Sequence, residues 1–303
     1  MRFNYLNGLL YLVFLLFLSV TSAMAYEKFP AEFLFEIKEA GGSPFNQPTD
    51  IAIANNRLYV LDGMNHRVVV FDLDGRYLLQ FGRSELKRPI GLCTDRGGRV
   101  YVANADTASV NIYSAEGEFL RGFTVTPIKG EEKPDITDCA VSEKGEIFLV
   151  DNDNHHVQVY SQEGRRLRWW GSFGENDKEF RYPATIGIDE RGIVYVVDVI
   201  NNKVKGFKPS GDLYLWIGGW GITPGKLFRP KGVLVSANRV FVSDSYTGVI
   251  QVFDTFGVFD GLLTTGTGEK LRLKTPTNMA LSGNRLYVVE QLKNRISVWK
   301  LGR

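Results

Sequence analysis

The chain of 303 residues carries 36 Lys and Arg against 34 Asp and Glu, a formal net charge of +2. Such a balance creates no long-range field, which argues against a protein that binds nucleic acid or an anionic membrane. The length suffices for one domain with a large core, and 13% aromatic residues with 32 Gly are typical of many short strands joined by tight turns.

The first 25 residues have the composition of a secretory signal peptide. Arg2 is their only charged residue, an apolar run extends from Leu9 to Val20, and residues 22–25 (SAMA) form a small-residue cleavage site. The alternative is an uncleaved membrane anchor, but the apolar run is shorter than the about 20 residues that span a bilayer. We therefore expect cleavage before Tyr26, export to the periplasm or the medium, and no transmembrane segment in the mature protein.

Beyond residue 25 one phrase recurs six times. An acidic or amide residue is followed, six positions later, by Val or Ile that opens an apolar run. The pairs are Asp62–Val68, Asn104–Val110, Asp151–Val157, Asp198–Val204, Asp244–Ile250 and Glu290–Ile296. A period in this range indicates an array of one supersecondary unit.

The first repeat shows the strands and turns that make up this supersecondary unit. Strand patterns cover residues 50–53, 57–61, 67–71 and 77–81, and Gly, Asn and Asp mark the turns between them. The later units repeat this order, and no segment has sustained helical periodicity. The sequence therefore predicts an all-β fold, a six-bladed β-propeller of four-stranded antiparallel blades.

The last unit lacks a fourth strand, since the chain stops soon after its third strand at residues 295–299. Residues 33–37 (FLFEI) precede the first unit and resemble the pattern of a fourth strand. We expect this N-terminal strand to complete the last blade and close the ring, which removes an open sheet edge. Residues 26–303 are then a single domain.

The units resemble NHL repeats over about residues 31–301. Residues 61–71, 150–160 and 197–204 match best, whereas Asn104 and Glu290 replace the usual Asp, and Thr247 replaces the usual Asn. The resemblance implies a rigid scaffold with two loop-rich faces. Relatives include exported bacterial propellers of unknown role, protein- and RNA-binding propellers and a few metal-dependent lyases. Export argues against an RNA partner here.

Three residues at the starts of inner strands are predicted to approach the central channel, namely Asp50, Asp138 and Asn278. A carboxylate–amide–carboxylate set could hold Ca²⁺, which prefers oxygen ligands, although water is the commoner occupant of a polar channel. No other cofactor is expected. His66, His155 and His156 lie in loops of non-adjacent blades, so they are interpreted as loop residues rather than as a shared metal site.

Three tryptophans form the second candidate site. Trp169 and Trp216 occupy equivalent positions on adjacent blades, and Trp220 follows soon after. With Arg166 and Arg168 beside them they could form an aromatic patch at the rim, a composition typical of binding hot spots. The alternative is that the rings pack between the two blades.

The two cysteines, Cys93 and Cys139, lie on inner strands of adjacent blades at adjacent registers. Their side chains therefore point either toward each other or both away. An oxidising compartment permits a disulfide, and two buried free thiols are the alternative.

Taken together, the residues favour an exported, non-catalytic platform for a protein partner, which could assist assembly of a larger envelope or extracellular complex. One alternative is a metal-dependent lactonase- or lyase-like enzyme with its site near Asp50, Asp138 and Asn278. Another is a carbohydrate-binding module that uses Trp169 and Trp216. No nucleophile elbow, phosphate loop or H-E-x-x-H motif supports a specific reaction.

Overall fold

The computed structural model describes residues 26–236 and 238–302, so the predicted signal peptide at residues 1–25 lies outside the described residues. These residues form 26 β-strands and two short 3₁₀ turns, Gly63–Asn65 and Gln291–Lys293. Within them, no helix has the length and apolar character needed to cross a bilayer. The all-β prediction is confirmed.

The N-terminal segment begins the fold with one long strand and a small hairpin. These are β1 (Glu27–Ile37), β2 (Glu39–Ala40) and β3 (Ser43–Pro44). The hairpin turn uses Gly41 and Gly42, both with positive φ.

Four of the six repeats form separate four-stranded antiparallel sheets. Their second and third strands are rich in Val, Ile and Tyr and are buried on both faces, because each sheet is stacked between two others. The strands of the first two sheets are β4 (Pro48–Ala54), β5 (Arg57–Asp62), β6 (Arg67–Asp72), β7 (Tyr77–Phe81), β8 (Pro89–Thr94), β9 (Val100–Asn104), β10 (Ser109–Tyr113) and β11 (Phe119–Thr124). Those of the next two are β12 (Ile136–Val141), β13 (Ile147–Asp151), β14 (His156–Tyr160), β15 (Arg166–Gly171), β16 (Pro183–Ile188), β17 (Val194–Asp198), β18 (Lys203–Phe207) and β19 (Leu213–Gly218).

The last two repeats are joined in one eight-stranded sheet, in the order β20-β21-β22-β23-β1-β26-β25-β24. The new strands are β20 (Pro230–Ser236), β21 (Arg239–Asp244), β22 (Val249–Asp254), β23 (Phe259–Thr264), β24 (Pro276–Ser282), β25 (Arg285–Glu290) and β26 (Arg295–Leu301). The prediction was six separate four-stranded sheets, whereas the structure has four such sheets and one eight-stranded sheet made by the last two repeats.

The merger has a physical cause in β1. Residues 31–37 pair antiparallel with β26, at the position predicted for the missing fourth strand. Residues 27–30 continue past β26 and pair in parallel with residues 261–264 of β23, whose edge would otherwise be open. Gly261 permits this approach, since a Cβ there would lie 1.9 Å from the carbonyl oxygen of Glu27.

The innermost strands surround a central channel. The strands β4, β8, β12, β16, β20 and β24 each contact the next, and β24 contacts β4. Apolar clusters fill the spaces between neighbouring sheets, and one of them packs Tyr101 and Val110 against Ile147 and Leu149. The core therefore lies between the sheets, as in a β-propeller.

The loops divide into two faces. We call upper the face that carries the connections between repeats and the loops from the second to the third strand of each repeat. Backbone hydrogen bonds join the two kinds of loop, for example from Asn152 N to Asp135 O at 2.9 Å and from Ser245 N to Arg229 O at 2.9 Å. The lower face carries the remaining hairpins.

Candidate functional site

The recurring acidic or amide residue of each repeat has a structural role. Each of the six accepts a backbone N–H from the connection that precedes its own repeat, as Asp62 does from Asn46 (2.7 Å) and Asp198 from Arg181 (2.9 Å). The sequence predicts hydrogen bonds to loop N–H groups. The structure shows that their donors lie 15–17 residues earlier along the chain.

The histidines also serve loops. The loop assignment of His156 is wrong, since it is the first residue of β14 and fully buried, with Nε2 2.6 Å from Glu131 Oε2 in the connection before β12. Nδ1 of His155 accepts the backbone N–H of Tyr182 at 3.2 Å, and burial lowers the pKa of this histidine. In the part of the chain that the structure describes, no three His, Cys, Asp or Glu side chains are grouped so that they could hold a metal ion.

The structure brings Asp50, Asp138 and Asn278 together in the channel, where all are nearly inaccessible to solvent. Asn278 Nδ2 donates to Asp50 Oδ1 at 2.6 Å, although 228 residues separate them. Asp50 Oδ2 accepts the backbone N–H of Leu92 at 2.6 Å, and Asp138 Oδ2 accepts that of Ile186 at 2.9 Å. The three side chains thus tie inner strands of different repeats to one another.

The two carboxyl groups lie within hydrogen-bonding reach of each other. Burial raises the pKa of Asp50 to about 7. Burial and the negative charge of Asp50 raise the pKa of Asp138 well above its usual range. Because two buried carboxylates this close cannot both ionise cheaply, the pair retains at least one proton near neutral pH.

These groups fit a Ca²⁺ ion poorly. Calcium takes six to eight oxygen ligands. Here both Asp50 oxygens and both Asp138 oxygens already accept N–H groups, and Asn278 presents its amide nitrogen rather than its oxygen.

A side-chain link joins five of the six pairs of neighbouring inner strands directly, and at the sixth Ser243 of β21 accepts the N–H of Gly232 on β20 and donates to Thr277 O on β24. The links are Asp50 to Leu92 N, the Cys93–Cys139 disulfide, Asp138 to Ile186 N, Thr185 Oγ1 to Lys231 O, Ser243 Oγ to Thr277 O, and Asn278 to Asp50. For Cys93 and Cys139 the sequence left a disulfide and two buried free thiols open, and the structure contains the disulfide.

The place of the disulfide follows from Gly91, which occupies in the second repeat the position of Asp50 in the first. A Cβ at Gly91 would lie 2.5 Å from the Cα of Asp138, so no side chain fits there. The link to the third repeat comes instead from Cys93, two residues further along β8.

The carboxyl pair should make stability depend on pH. Folding raises its pKa above the value of about 4 in the unfolded chain, so the folded state binds the proton more tightly. This stabilisation is complete below about pH 4, and the part contributed by Asp50 is lost as the pH rises toward about 7. Each proton that the folded state retains should lower the unfolding free energy by up to about 1.4 kcal/mol per pH unit over that interval.

Urea unfolding between about pH 5 and pH 7 measures this slope. We expect Asp50→Asn/Asp138→Asn to flatten it, because neither amide titrates, whereas Asp153→Asn, at an exposed loop position, should leave it unchanged. Equal slopes in both variants would show that the pair does not hold the proton.

The predicted aromatic residues are exposed, at 44% for Trp169, 53% for Trp216 and 74% for Trp220. Trp169 and Trp216 pair with equivalent positions of their third strands. Each ring has a different neighbour, however: His156 lies 5.5 Å from Trp169, and Lys203 Nζ lies 4.9 Å from the centre of Trp216.

The two arginines predicted beside these rings hold other parts of the fold. Arg168 makes a two-pronged ion pair with Glu146 at 2.7 and 2.8 Å and lies over Phe148, which also contacts Trp170. It is therefore on the opposite side of β15 from Trp169. Arg166 donates to Thr126 O at 2.9 Å and anchors the connection before β12.

A more extensive apolar surface lies at the tips of the upper-face loops, two residues after each recurring acid. Met64, Ile200, Tyr246 and Leu292 occupy this position in the first, fourth, fifth and sixth repeats and are 49–76% exposed. Asp106 and Asp153 occupy it in the other two. Since those four repeats are consecutive around the channel, the tips form one arc, and Trp220 and Ile222 add to it. The repeat alignment could have identified these residues, because they share one register.

Two cavities occupy the channel on either side of the Asp50–Asn278 contact. The lower one has a volume of 350 Å³, and its lining includes the carboxyl pair and many aliphatic residues of the inner strands. The upper one has 290 Å³ and opens among the loops of the upper face. Asn278 lines both.

Comparison with solved structures establishes the class of protein as a β-propeller. Virginiamycin B lyase from Staphylococcus aureus superposes with a TM-score of 0.65 at 12% identity, over 90% of this chain and 100% of the other. A gluconolactonase from Xanthomonas campestris gives 0.64 at 17% identity, over 85% and 87%. A protein of unknown function from Bacteroides thetaiotaomicron gives 0.68 at 15% identity, over 90% and 76%. At these identities the likeness concerns the fold alone.

The sequence comparisons place an NHL repeat within this propeller. Residues 45–71 match the NHL repeat family. Protein brain tumor of Drosophila melanogaster is 32% identical over 90 residues, which cover 27% of this chain and 9% of the fly protein. The chain thus spans less than a tenth of that relative's length. Together the repeat match and the propeller neighbours support the predicted NHL-type β-propeller.

Proposed function

We propose that this protein is an exported, non-catalytic platform that binds a protein partner through the upper face of a six-bladed propeller. The eight-stranded sheet counts as two blades in this description, with β1 as the outer strand of the last blade. The apolar run and small-residue site before Tyr26 support export.

The observation that carries the proposal is the arc of exposed apolar tips. Exposed apolar residues scattered over a surface are ordinary, whereas a set that recurs at one loop position on one face favours an interaction surface. Met64, Ile200, Tyr246 and Leu292 share one register in consecutive repeats, and Trp220 and Ile222 extend the arc. Each side chain stands on a loop whose base is fixed by a buried acid and a backbone hydrogen bond, so little ordering entropy opposes binding.

The test is a pull-down of the mature protein from native envelope extract, with cross-linked residues mapped by mass spectrometry. We expect the wild-type protein to capture a stoichiometric partner, and Ile200→Ser/Tyr246→Ser/Leu292→Ser to capture at least about tenfold less of it. Each truncated hot spot costs about 1–2 kcal/mol of binding free energy or more. The matched control is Phe256→Ser/Val258→Ser, which removes equally exposed apolar residues from the lower face. Equal capture by both variants would contradict the proposal.

Carbohydrate binding through Trp169 and Trp216 is an alternative to protein binding, and a glycan array tests it. Both rings are exposed, and aromatic faces can stack on sugars. A glycan array on which Trp169→Ala/Trp216→Ala abolishes binding, with protein capture absent, would replace the protein platform by a lectin-like function.

A second candidate is a propeller enzyme with its site in the channel. The specific observation in its favour is the buried pair of Asp50 and Asp138, because carboxyl pairs with raised pKa often serve acid–base chemistry. The lyase and the gluconolactonase among the structural neighbours show that the fold can carry enzymes. A rise in melting temperature with CaCl₂ or ZnCl₂ that disappears in Asp138→Asn would favour the metal-dependent form of this alternative.

A further inference from the structure

The upper cavity of the channel contains a positive charge within a lining of mixed polar and apolar surface. Its 290 Å³ are lined by residues that begin the inner strands and by loop residues, including Thr49, Asn152, Lys231, Thr277 and Gln291. No acidic residue is among those that line it. The carboxyl pair lies deeper and lines only the lower cavity.

Lys231 is half-buried in this cavity, and its ammonium has neither an ion-pair nor a hydrogen-bond partner among the described residues. By contrast, two fully buried cations are paired: Arg67 Nε lies 2.8 Å from Asp62 Oδ2, and Lys205 Nζ lies 3.2 Å from Asp198 Oδ2. A charge taken partly out of water without a partner costs free energy, and no side chain that lines the cavity offsets this cost at Lys231.

The electrostatics around Lys231 are also one-sided. Burial and the positive charge of the nearby Arg229 lower the pKa of Lys231, and no carboxylate opposes them. The repeat does not require a cation at this place, because the equivalent residues of the other repeats are Thr49, Ile90, Thr137, Ala184 and Thr277. The cavity therefore has one cation in its lining, Lys231, with a second, Arg229, nearby and no acidic residue among the lining residues.

Hydroxyl donors are available beside it. Thr49 and Thr277 line the cavity, and the Oγ1 atoms of both are buried without a hydrogen-bond partner. By contrast, Thr137 Oγ1 donates to Ala184 O and Thr185 Oγ1 donates to Lys231 O, each at 2.8 Å. A rotation about χ1 would let the two unpartnered hydroxyls donate to a ligand held by Lys231.

We propose that the upper cavity is a binding site for a small organic anion whose carboxylate pairs with Lys231. A single ammonium with hydroxyl donors matches a carboxylate. Phosphate sites more often use a helix N-terminus or paired arginine N–H groups, and neither lines this cavity. The site is independent of the platform proposal, because its ligand enters the channel and does not require the loop tips.

The test is isothermal titration of the mature protein at constant ionic strength with acetate, succinate and citrate. Inorganic phosphate and the neutral diamide of succinate serve as comparison ligands. We expect at least one carboxylate to bind, and Lys231→Met to weaken it at least about tenfold, as loss of a charge-assisted hydrogen bond implies. Methionine keeps the length of the side chain, and the Lys231 carbonyl that accepts Thr185 Oγ1 is unchanged.

The matched control is Lys87→Met, which removes an exposed lysine from another upper-face connection outside the cavity. It should leave the affinity unchanged. The proposal is overturned if no carboxylate binds, if phosphate or the neutral diamide binds as tightly as the best carboxylate, or if Lys231→Met and Lys87→Met have equal affinity.

Discussion

A mature protein that begins at Lys38, and so lacks β1, should lose most of its stability. Phe29, Ala31 and Ile37 of this strand are buried, and Leu34 and Phe35 pack against the same clusters. At about 1.5–3 kcal/mol for each large buried apolar side chain, the loss is at least about 5 kcal/mol, comparable to the whole stability of many domains. The deletion also opens the edges of β23 and β26 together.

Thermal and urea unfolding measure this effect, with Glu32→Ser/Phe33→Ser as the control, because both residues lie in β1 with exposed side chains. We expect that control to melt within a few degrees of the intact protein. A synthetic peptide of residues 26–38 should restore the truncated protein toward the intact melting temperature. An unaltered melting temperature in the truncated protein would show that β1 does not hold the two repeats together.

Removal of the Cys93–Cys139 disulfide is expected to cost about 4 kcal/mol, since the bridge closes a loop with a sequence separation of 46 residues. For a domain of this size that corresponds to a fall in melting temperature of roughly 10 °C. The bridge joins β8 to β12 where Gly91, at the position equivalent to Asp50, has no side chain to contribute.

Urea unfolding of the oxidised protein, the reduced protein and Cys93→Ala/Cys139→Ala separates the cross-link from packing effects. The reduced protein and the double variant should have similar midpoints, and a reducing agent should have no effect on the variant. Two reactive thiols in the denatured, unreduced protein would contradict the disulfide and would favour the alternative of two buried thiols.

The candidate sites on the two sides of the channel differ in what could be inferred beforehand. The repeat alignment placed Asp50, Asp138 and Asn278 near the channel, and the structure brings them into contact. It did not indicate that these side chains hydrogen-bond to one another and accept backbone N–H groups. Lys231 lies on another inner strand, β20, one residue before the position equivalent to Asp50, and its lack of a partner is visible only once the surrounding loops are placed.

The aromatic residues show the same division. Period-two alternation along β15 placed Trp169 and Trp170 on opposite sides of the strand, and the structure agrees, with Trp169 exposed and Trp170 buried. Alternation also puts Arg168 on the side of Trp170. The predicted grouping of Arg168 with Trp169 followed nearness in sequence instead, and the ion pair with Glu146 shows where that side chain lies.

By itself the sequence determined the strand order, the period of the units, the buried faces of the strands and the structural acid of each repeat. These follow from local patterns, because side chains alternate along a strand and turns need particular residues. The tertiary structure alone decided that β1 joins two repeats, that Cys93 meets Cys139, and that Lys231 faces a cavity without a carboxylate. Each of these depends on how far one sheet is rotated and shifted against the next, which is set by packing across the channel and is not encoded in any single repeat.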